Sequence, residues 1–269
     1  MTQKSIPALL EYQSQKTPDA DAILGLNSKP LKYRELFELV EQTKDFLNEL
    51  GIGRNDRIAI VLPNGPAMAT SFLTVASCAT SAPLNPGYTA SEYEFFLEDL
   101  EVKGIIVEEG SDNPIIKVAE KINIPVIYLS KHPNNFSGYF ILSCTSKPYR
   151  PSGVPGTSKT TDIALILHTS GTTSKPKMVP LTQKNLCTSA NNIVTTLRLT
   201  ETDRCMNIMP LFHIHGLMAA VMASTSAGGS VVCTPGFYST EFFDWLQEFQ
   251  PTYYTAVPTM HQAILNRVK

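Results

Sequence analysis

From Arg57 onward, short apolar runs alternate with segments of helical periodicity, and that alternation leaves few architectures open. Arg57–Leu62 reads as a strand, closed by Pro63-Asn-Gly-Pro66. Met68–Ala79 reads as a buried helix of small residues, and Pro83-Leu-Asn-Pro-Gly87 as a turn. Thr89-x-x-Glu92 is a capping box opening an amphipathic helix through Leu100. Gly104–Val107 predicts a strand, Pro114–Ile122 a helix with Pro in its first turn, and Pro125–Leu129 another strand. Upstream, Tyr33, Leu36, Phe37, Val40, Phe46, Leu47 and Leu50 recur at helical spacing, with Gly51 as the stop. Repeated strand-then-helix units predict an α/β fold of layered, mostly parallel sheets flanked by helices.

The next stretch, Ile163–Leu181, carries chemistry as well as pattern. Ile163–Leu167 is a short apolar run with the character of a buried strand. Five hydroxyl side chains follow, Thr169, Ser170, Thr172, Thr173 and Ser174, around Gly171, and the run closes on Lys175, Pro176 and Lys177. Such a loop suits a polyphosphate: small residues let backbone N–H groups converge on oxygens, hydroxyls add donors and lysines add positive charge. Ser, Thr, Gly and Pro are also what surface turns are made of, so composition alone leaves both readings open. A P-loop is excluded, because no second glycine precedes Lys175 or Lys177 and neither lysine is followed by Ser or Thr. Thr145–Asp162, rich in Pro, Gly, Ser, Thr and Lys, reads as the loop leading in, not as a domain boundary.

Beyond it, Asn185–Leu197 predicts a helix, Cys205–Met209 a strand and Ser230–Thr234 another. Glu241–Phe249 predicts a helix capped by Ser239 or Thr240, with Phe242, Trp245, Leu246 and Phe249 on one face. Thr252–Val257 predicts a strand, and Thr259 starts a helix with Ile264, Leu265 and Val268 on its apolar side. His213 and His215 flank Ile214 just past a strand, where an extended backbone aims both imidazoles one way. Three readings compete: a metal pair, which lacks further ligands at a suitable spacing among His132, His168 and His261; packed structural histidines; and an acid-binding site beside the loop. His261 reads as a helix-face residue. His168 reads as a cover for the loop, since no neighbouring nucleophile calls for a base.

Composition bounds the function classes. Of 269 residues, 43 % are hydrophobic and 17 % charged, enough for a substantial core. The formal charge of −2 gives no reason to expect nucleic acid or an anionic membrane as partner. Cys78, Cys144, Cys187, Cys205 and Cys233 are scattered without a Cys-x-x-Cys pair, which fits a reducing compartment. No basic-then-apolar leader opens the chain. The most apolar long stretch, Leu217–Cys233, is interrupted by Ser224, Thr225, Ser226, Gly228 and Gly229, so no membrane span is expected.

Thr169-Ser-Gly-Thr-Thr-Ser-Lys-Pro-Lys177 resembles the phosphate-loop signature of the adenylate-forming superfamily, which includes acyl-CoA synthetases, luciferases and peptide-synthetase adenylation domains. The family usually has Gly where this chain has Ser174 and again where it has Met178. The first departure, with Pro180-Leu-Thr-Gln183 and Thr252-Tyr-Tyr-Thr-Ala-Val-Pro-Thr-Met-His-Gln262, is similar to the oxalate–CoA ligase subgroup. If the family's glycine at the second position needs positive φ, Met178 costs about 1–2 kcal/mol there and weakens the loop.

The resemblance implies an acid–thiol ligase that uses ATP and Mg²⁺ to form an acyl-adenylate and then transfers the acyl group to CoA. It assigns Thr169, Ser170, Gly171, Thr172, Thr173, Ser174, Lys175 and Lys177 to the polyphosphate. Pro210-Leu-Phe-His-Ile-His-Gly216 is similar to the family's acyl-pocket motif, which favours the acid-binding reading of His213 and His215 and a short acid with a second charge, oxalate first. Fatty or aryl acids are the alternative, and a non-catalytic nucleotide-binding or interaction module is a second. The family's adenine-contacting motif, ribose-binding aspartate, hinge and mobile C-terminal domain with its catalytic lysine are not found in this sequence. The expectation is therefore residues 1–269 as an incomplete N-terminal domain, with 55–184 as one α/β subdomain and 1–54 plus 185–269 as a second, unfinished one. No catalytic residue and no protein-held metal are assigned, turnover by these residues alone is not expected, and the expected location is cytoplasmic, or peroxisomal if a targeting tail follows Lys269.

Overall fold

A computed structural model describes residues 3–145, 153–169 and 176–268. The chain opens with α1 (Ile6–Lys16), the short antiparallel pair β1 (Asp21–Leu24) and β2 (Leu31–Lys32), and α2 (Tyr33–Glu49). Then follow β3 (Arg57–Val61), α3 (Pro66–Ala76), β4 (Thr80–Pro83), α4 (Ala90–Leu100), β5 (Gly104–Glu108), α5 (Ile115–Lys121), β6 (Val126–Lys131) and β7 (Phe140–Cys144). The hairpin β8 (Ile163–Thr169) and β9 (Lys177–Thr182) leads into α6 (Gln183–Leu197) and β10 (Arg204–Asn207). A π-helical segment, Gly216–Met222, runs into α7 (Ala223–Ala227), followed by β11 (Ser230–Cys233), α8 (Phe242–Phe249), β12 (Tyr253–Thr255) and α9 (Pro258–Val268).

Two sheets result. One has the order β7-β6-β5-β3-β4-β8-β9, and its inner strands are parallel, with antiparallel partners β7 and β9 at its edges. The other has the order β12-β10-β11-β1-β2, parallel except for β2. This is the layered, mostly parallel α/β architecture expected from the alternation.

The layers meet on α3. Gly65, at φ 146°, and Pro66 open this helix, and every residue from Met68 to Ala76 is buried. A helix buried all round, its few hydroxyls (Thr70, Ser71 and Thr74) included, must be enclosed on all sides, and α3 touches α1, α2 and strands of both sheets. Helix α2 shows the complementary pattern: Leu36, Leu39, Val40, Thr43 and Leu47 are buried at i, i+3, i+4, i+7 and i+11, and Gly51 takes positive φ just past its end. The box at Thr89 is closed in both directions: Glu92 Oε2 accepts from the Thr89 N–H at 2.8 Å, and the Glu92 N–H donates to Thr89 Oγ1 at 3.4 Å.

Several local expectations are corrected. Helix α8 has Glu241 at its cap, without a side-chain cap bond; neither Ser239 nor Thr240 is used, because the Glu241 N–H already turns back to the Tyr238 carbonyl. Helix α6 starts at Gln183, not Asn185, behind a box in which Thr182 caps Asn185. Met178 lies inside β9 opposite His168 and is absent from the positive-φ positions, so the backbone cost anticipated there does not arise. Its side chain packs instead against the cluster of Phe96, Leu97 and Ile166.

Candidate functional site

Strand β8 ends at Thr169, where the hydroxyl-rich run of the sequence begins. Across the hairpin Ile166 faces Pro180, Leu167 faces Val179, His168 faces Met178 and Thr169 faces Lys177. Pro180 is tolerated because β9 is an edge strand, where a missing N–H breaks no further ladder. The sequence pattern placed Lys177 in the loop; the structure makes it the first residue of β9, exposed and opposite the exposed Thr169. These two residues fix the ends of the hydroxyl-rich segment. Ser170, Gly171, Thr172, Thr173, Ser174 and Lys175 lie outside the described residues, as does part of the preceding loop, 146–152.

His168, one residue earlier, is directed into the layer between sheet and helix. Its side chain is only 6 % exposed, its Nε2 lies 2.9 Å from Asp99 Oδ2 of α4, and its ring meets Phe96 edge-on at 4.8 Å. No nucleophile is among these contacts, so the ring braces the last turn of β8 against α4.

The carboxyl ends of the second sheet come up beside the first. Asn64, just after β3, accepts from the Leu211 N–H at 2.8 Å and donates to the Thr234 carbonyl at 2.9 Å, linking the exits of β3, β10 and β11. Open α/β sheets bind ligands at this kind of junction, outside the carboxyl ends of the strands.

His213 and His215 stand at that junction, but not as an extended pair. Strand β10 ends at Asn207, whose side chain bonds the backbone of Met209 in both directions. Pro210 then turns the chain, the His213 N–H donates to the Pro210 carbonyl, and His215 is helical at φ −59°, ψ −55°. Gly216 is required there, since a Cβ would lie 2.7 Å from the Pro210 carbonyl oxygen. Two residues apart on a helical turn do not share a face. His213 packs its ring on Phe212 at 4.5 Å, and burial lowers its pKa. His215, half-buried, places Nε2 3.0 Å from Thr255 Oγ1.

His215 also lines a cavity of about 340 Å³ between α6 and the π-helical segment, whereas His213 is not among its lining residues. Leu181, Leu186, Ile193, Met218 and Ala219 give it an apolar body, and Asn185, Ser189 and His215 are its polar side chains. Asn185, Ser189 and Ile193 recur at i, i+4 and i+8, so this face of α6 was legible from period alone; the Thr255 partner, on a distant strand, was not. His261 sits exposed on α9 with its Nδ1 3.2 Å from the Tyr254 hydroxyl. No group of three or more His, Cys, Asp or Glu able to hold a metal occurs among the described residues, and no helix among them is long and apolar enough to cross a membrane.

The sequence profile of the AMP-binding enzyme family matches residues 10–269. The chain belongs to that family. It is 36 % identical to oxalate–CoA ligase of Arabidopsis thaliana over 99 % of this chain and 52 % of that protein. It is 34 % identical to oxalate–CoA ligase of Saccharomyces cerevisiae over 80 % of this chain and 44 % of that one. Among solved structures it resembles apo MatB from Rhodopseudomonas palustris, with a TM-score of 0.80, 24 % identity, and coverage of 98 % of this chain and 51 % of that chain. The chain thus spans about half the length of these relatives, as an N-terminal portion of the family's fold.

Proposed function

We propose that this chain is the front part of an ATP-dependent acid–CoA ligase that activates a small carboxylic acid, oxalate first, through an acyl-adenylate. The observation that supports the reading is the hairpin register that sets Thr169 opposite Lys177 at the carboxyl end of β8, the two described ends of the hydroxyl-and-lysine sequence. Attack of a carboxylate on the α-phosphorus brings two anions together, so the site must offset their repulsion and stabilise departing pyrophosphate. Thr169–Lys177 would supply backbone and hydroxyl donors, with Lys175 and Lys177 as the charges. His213 and His215 would serve the acid, His215 from the cavity wall and His213 from the turn before it. Mg²⁺ would arrive with the nucleotide phosphates. CoA would displace AMP in the complete protein. In this reading the chain divides into subdomains 55–184 and 1–54 plus 185–269, a division that the sharing of the strands between two sheets supports.

The experiment measures binding and turnover separately. Isothermal titration of the 269-residue chain with ATP should show binding that Lys177→Ala weakens, and ATP, Mg²⁺, oxalate and CoA together should release no pyrophosphate. Wild-type affinity unchanged by the substitution would sink the phosphate assignment; pyrophosphate release would sink the claim that this portion is inactive alone.

One observation favours a second reading. The roughly 340 Å³ cavity is larger and more apolar than oxalate needs, which supports a medium-chain or aryl acid. A thermal-shift panel of short dicarboxylates against hexanoate and cinnamate separates the two, because the bound acid raises the melting temperature by mass action.

A further inference from the structure

Thr255 is the last residue of β12 and pairs with Asn207 of β10, so its hydroxyl stands on a fixed backbone at the carboxyl end of the sheet. The His215 ring it meets at 3.0 Å is carried by the first helical residues before Gly216. One ring nitrogen, Nε2, is thereby taken, and among the described residues Nδ1 has no partner.

An acid in the cavity would set the direction of that bond. An ionised carboxylate only accepts hydrogen bonds. For neutral His215 to hold one, the uncommitted nitrogen, Nδ1, must carry the proton. Nε2 is then a lone-pair acceptor, and the bond must run from the Thr255 hydroxyl to the ring. A hydroxyl rotor can donate in this way; an apolar side chain of the same shape cannot. Which nitrogen of an imidazole is protonated is set by the bond the other one makes.

We propose that Thr255 is a positioning residue for acid recognition: by donating to Nε2 it holds neutral His215 as the Nδ1–H tautomer and fixes the ring so that this N–H is offered to a carboxylate in the cavity. Thr255 acts only through His215 and does not touch the acid. The inference rests on the acid-pocket reading above and goes beyond it by naming the tautomer and the residue that selects it.

The test uses the 269-residue chain labelled with ¹⁵N in its histidine rings, with the His215 signals assigned through His215→Gln. Imidazole ¹⁵N shifts, read where the ring is neutral, report the tautomer directly. Wild type and Thr255→Ser should show Nδ1–H. Thr255→Val, which keeps the shape and loses the donor, should move the ring to Nε2–H and weaken oxalate binding roughly 3- to 10-fold, the range that one neutral hydrogen bond supports. Thr255→Ser should restore both. An Nε2–H ring in wild type, or an unchanged tautomer in Thr255→Val with its melting curve intact, overturns the proposal. If the tautomer switches as expected but wild type binds neither oxalate nor hexanoate, the control of His215 by Thr255 stands and the acid-pocket reading falls.

Discussion

Arg54 and Asp162 form a two-pronged ion pair, Nε to Oδ2 at 2.6 Å and Nη2 to Oδ1 at 2.9 Å, that ties the turn before β3 to the residue just ahead of β8. Asp162 is nearly buried and accepts two further bonds, from the Lys159 N–H and from Asn55 Nδ2. Burial alone would raise its pKa, but the bonds from Arg54, Lys159 and Asn55 outweigh that and hold the carboxyl below the usual aspartate range. The unfolded chain therefore binds the proton first. The stabilisation is fully present above the unfolded-state pKa and is lost as pH falls through the depressed folded value. Asp162→Asn should lower the melting temperature by several degrees at neutral pH and flatten its decline on acidification. A parallel decline in both proteins, followed by circular dichroism from pH 7 downward, would remove Asp162 from the account.

Gln183, fully buried at the start of α6, accepts from the Ile6 N–H at 2.9 Å and donates to the Ala76 carbonyl at 2.5 Å. One side chain thus satisfies the first turn of α1 and the last turn of α3. Gln183→Ala strands both backbone groups away from water and should cost about 1–3 kcal/mol, measured by urea unfolding. A loss below about 0.5 kcal/mol would mean that water replaces the amide.

Met178 is where the chain departs from its family's glycine, and its position in β9 reverses the expected consequence. Met178→Gly removes apolar contact with the Phe96 cluster and loosens a strand. It should destabilise by about 1–3 kcal/mol, since the side chain is only partly buried. ATP affinity should not improve; tighter binding in the glycine variant would show that the methionine hinders the loop after all.

Lys177 is exposed and has no ion-pair partner among the described residues. Lys177→Ala should leave the melting temperature of the free chain within a degree or so of wild type. It should weaken ATP binding about 10- to 100-fold, the range for one charge-assisted contact. A fall in stability as large as the fall in affinity would point to a structural role instead.

Much of this fold was legible because its central strands are continuous apolar runs bounded by turn residues. Ile58–Val61 and Ile105–Val107 have no other comfortable place than the middle of a parallel sheet. The edges were harder. Strand β7 has only Phe140 fully buried, with exposed Ile141 and Ser143 alternating with half-buried Leu142 and Cys144, β2 has two residues, and β9 carries Lys177 and Pro180, so none offers a long apolar run. Helix α1 places Gln13 on its buried side, which interrupts the apolar stripe of Ile6, Leu9 and Leu10. At the candidate site, the motif singled out Thr169, Lys177 and the two histidines, whose roles are part of the proposal above. The directions in which His213 and His215 turn depend on Pro210 and the π-helical segment, a tertiary matter that local spacing does not encode.

Helix α3 has a mechanical consequence. It is enclosed by elements of both layers and has no wet side from Met68 to Ala76, so neither sheet can peel away without dragging greasy surface into solvent. The two halves should therefore melt together, in one sharp step, and damage planted in either will be felt by the whole.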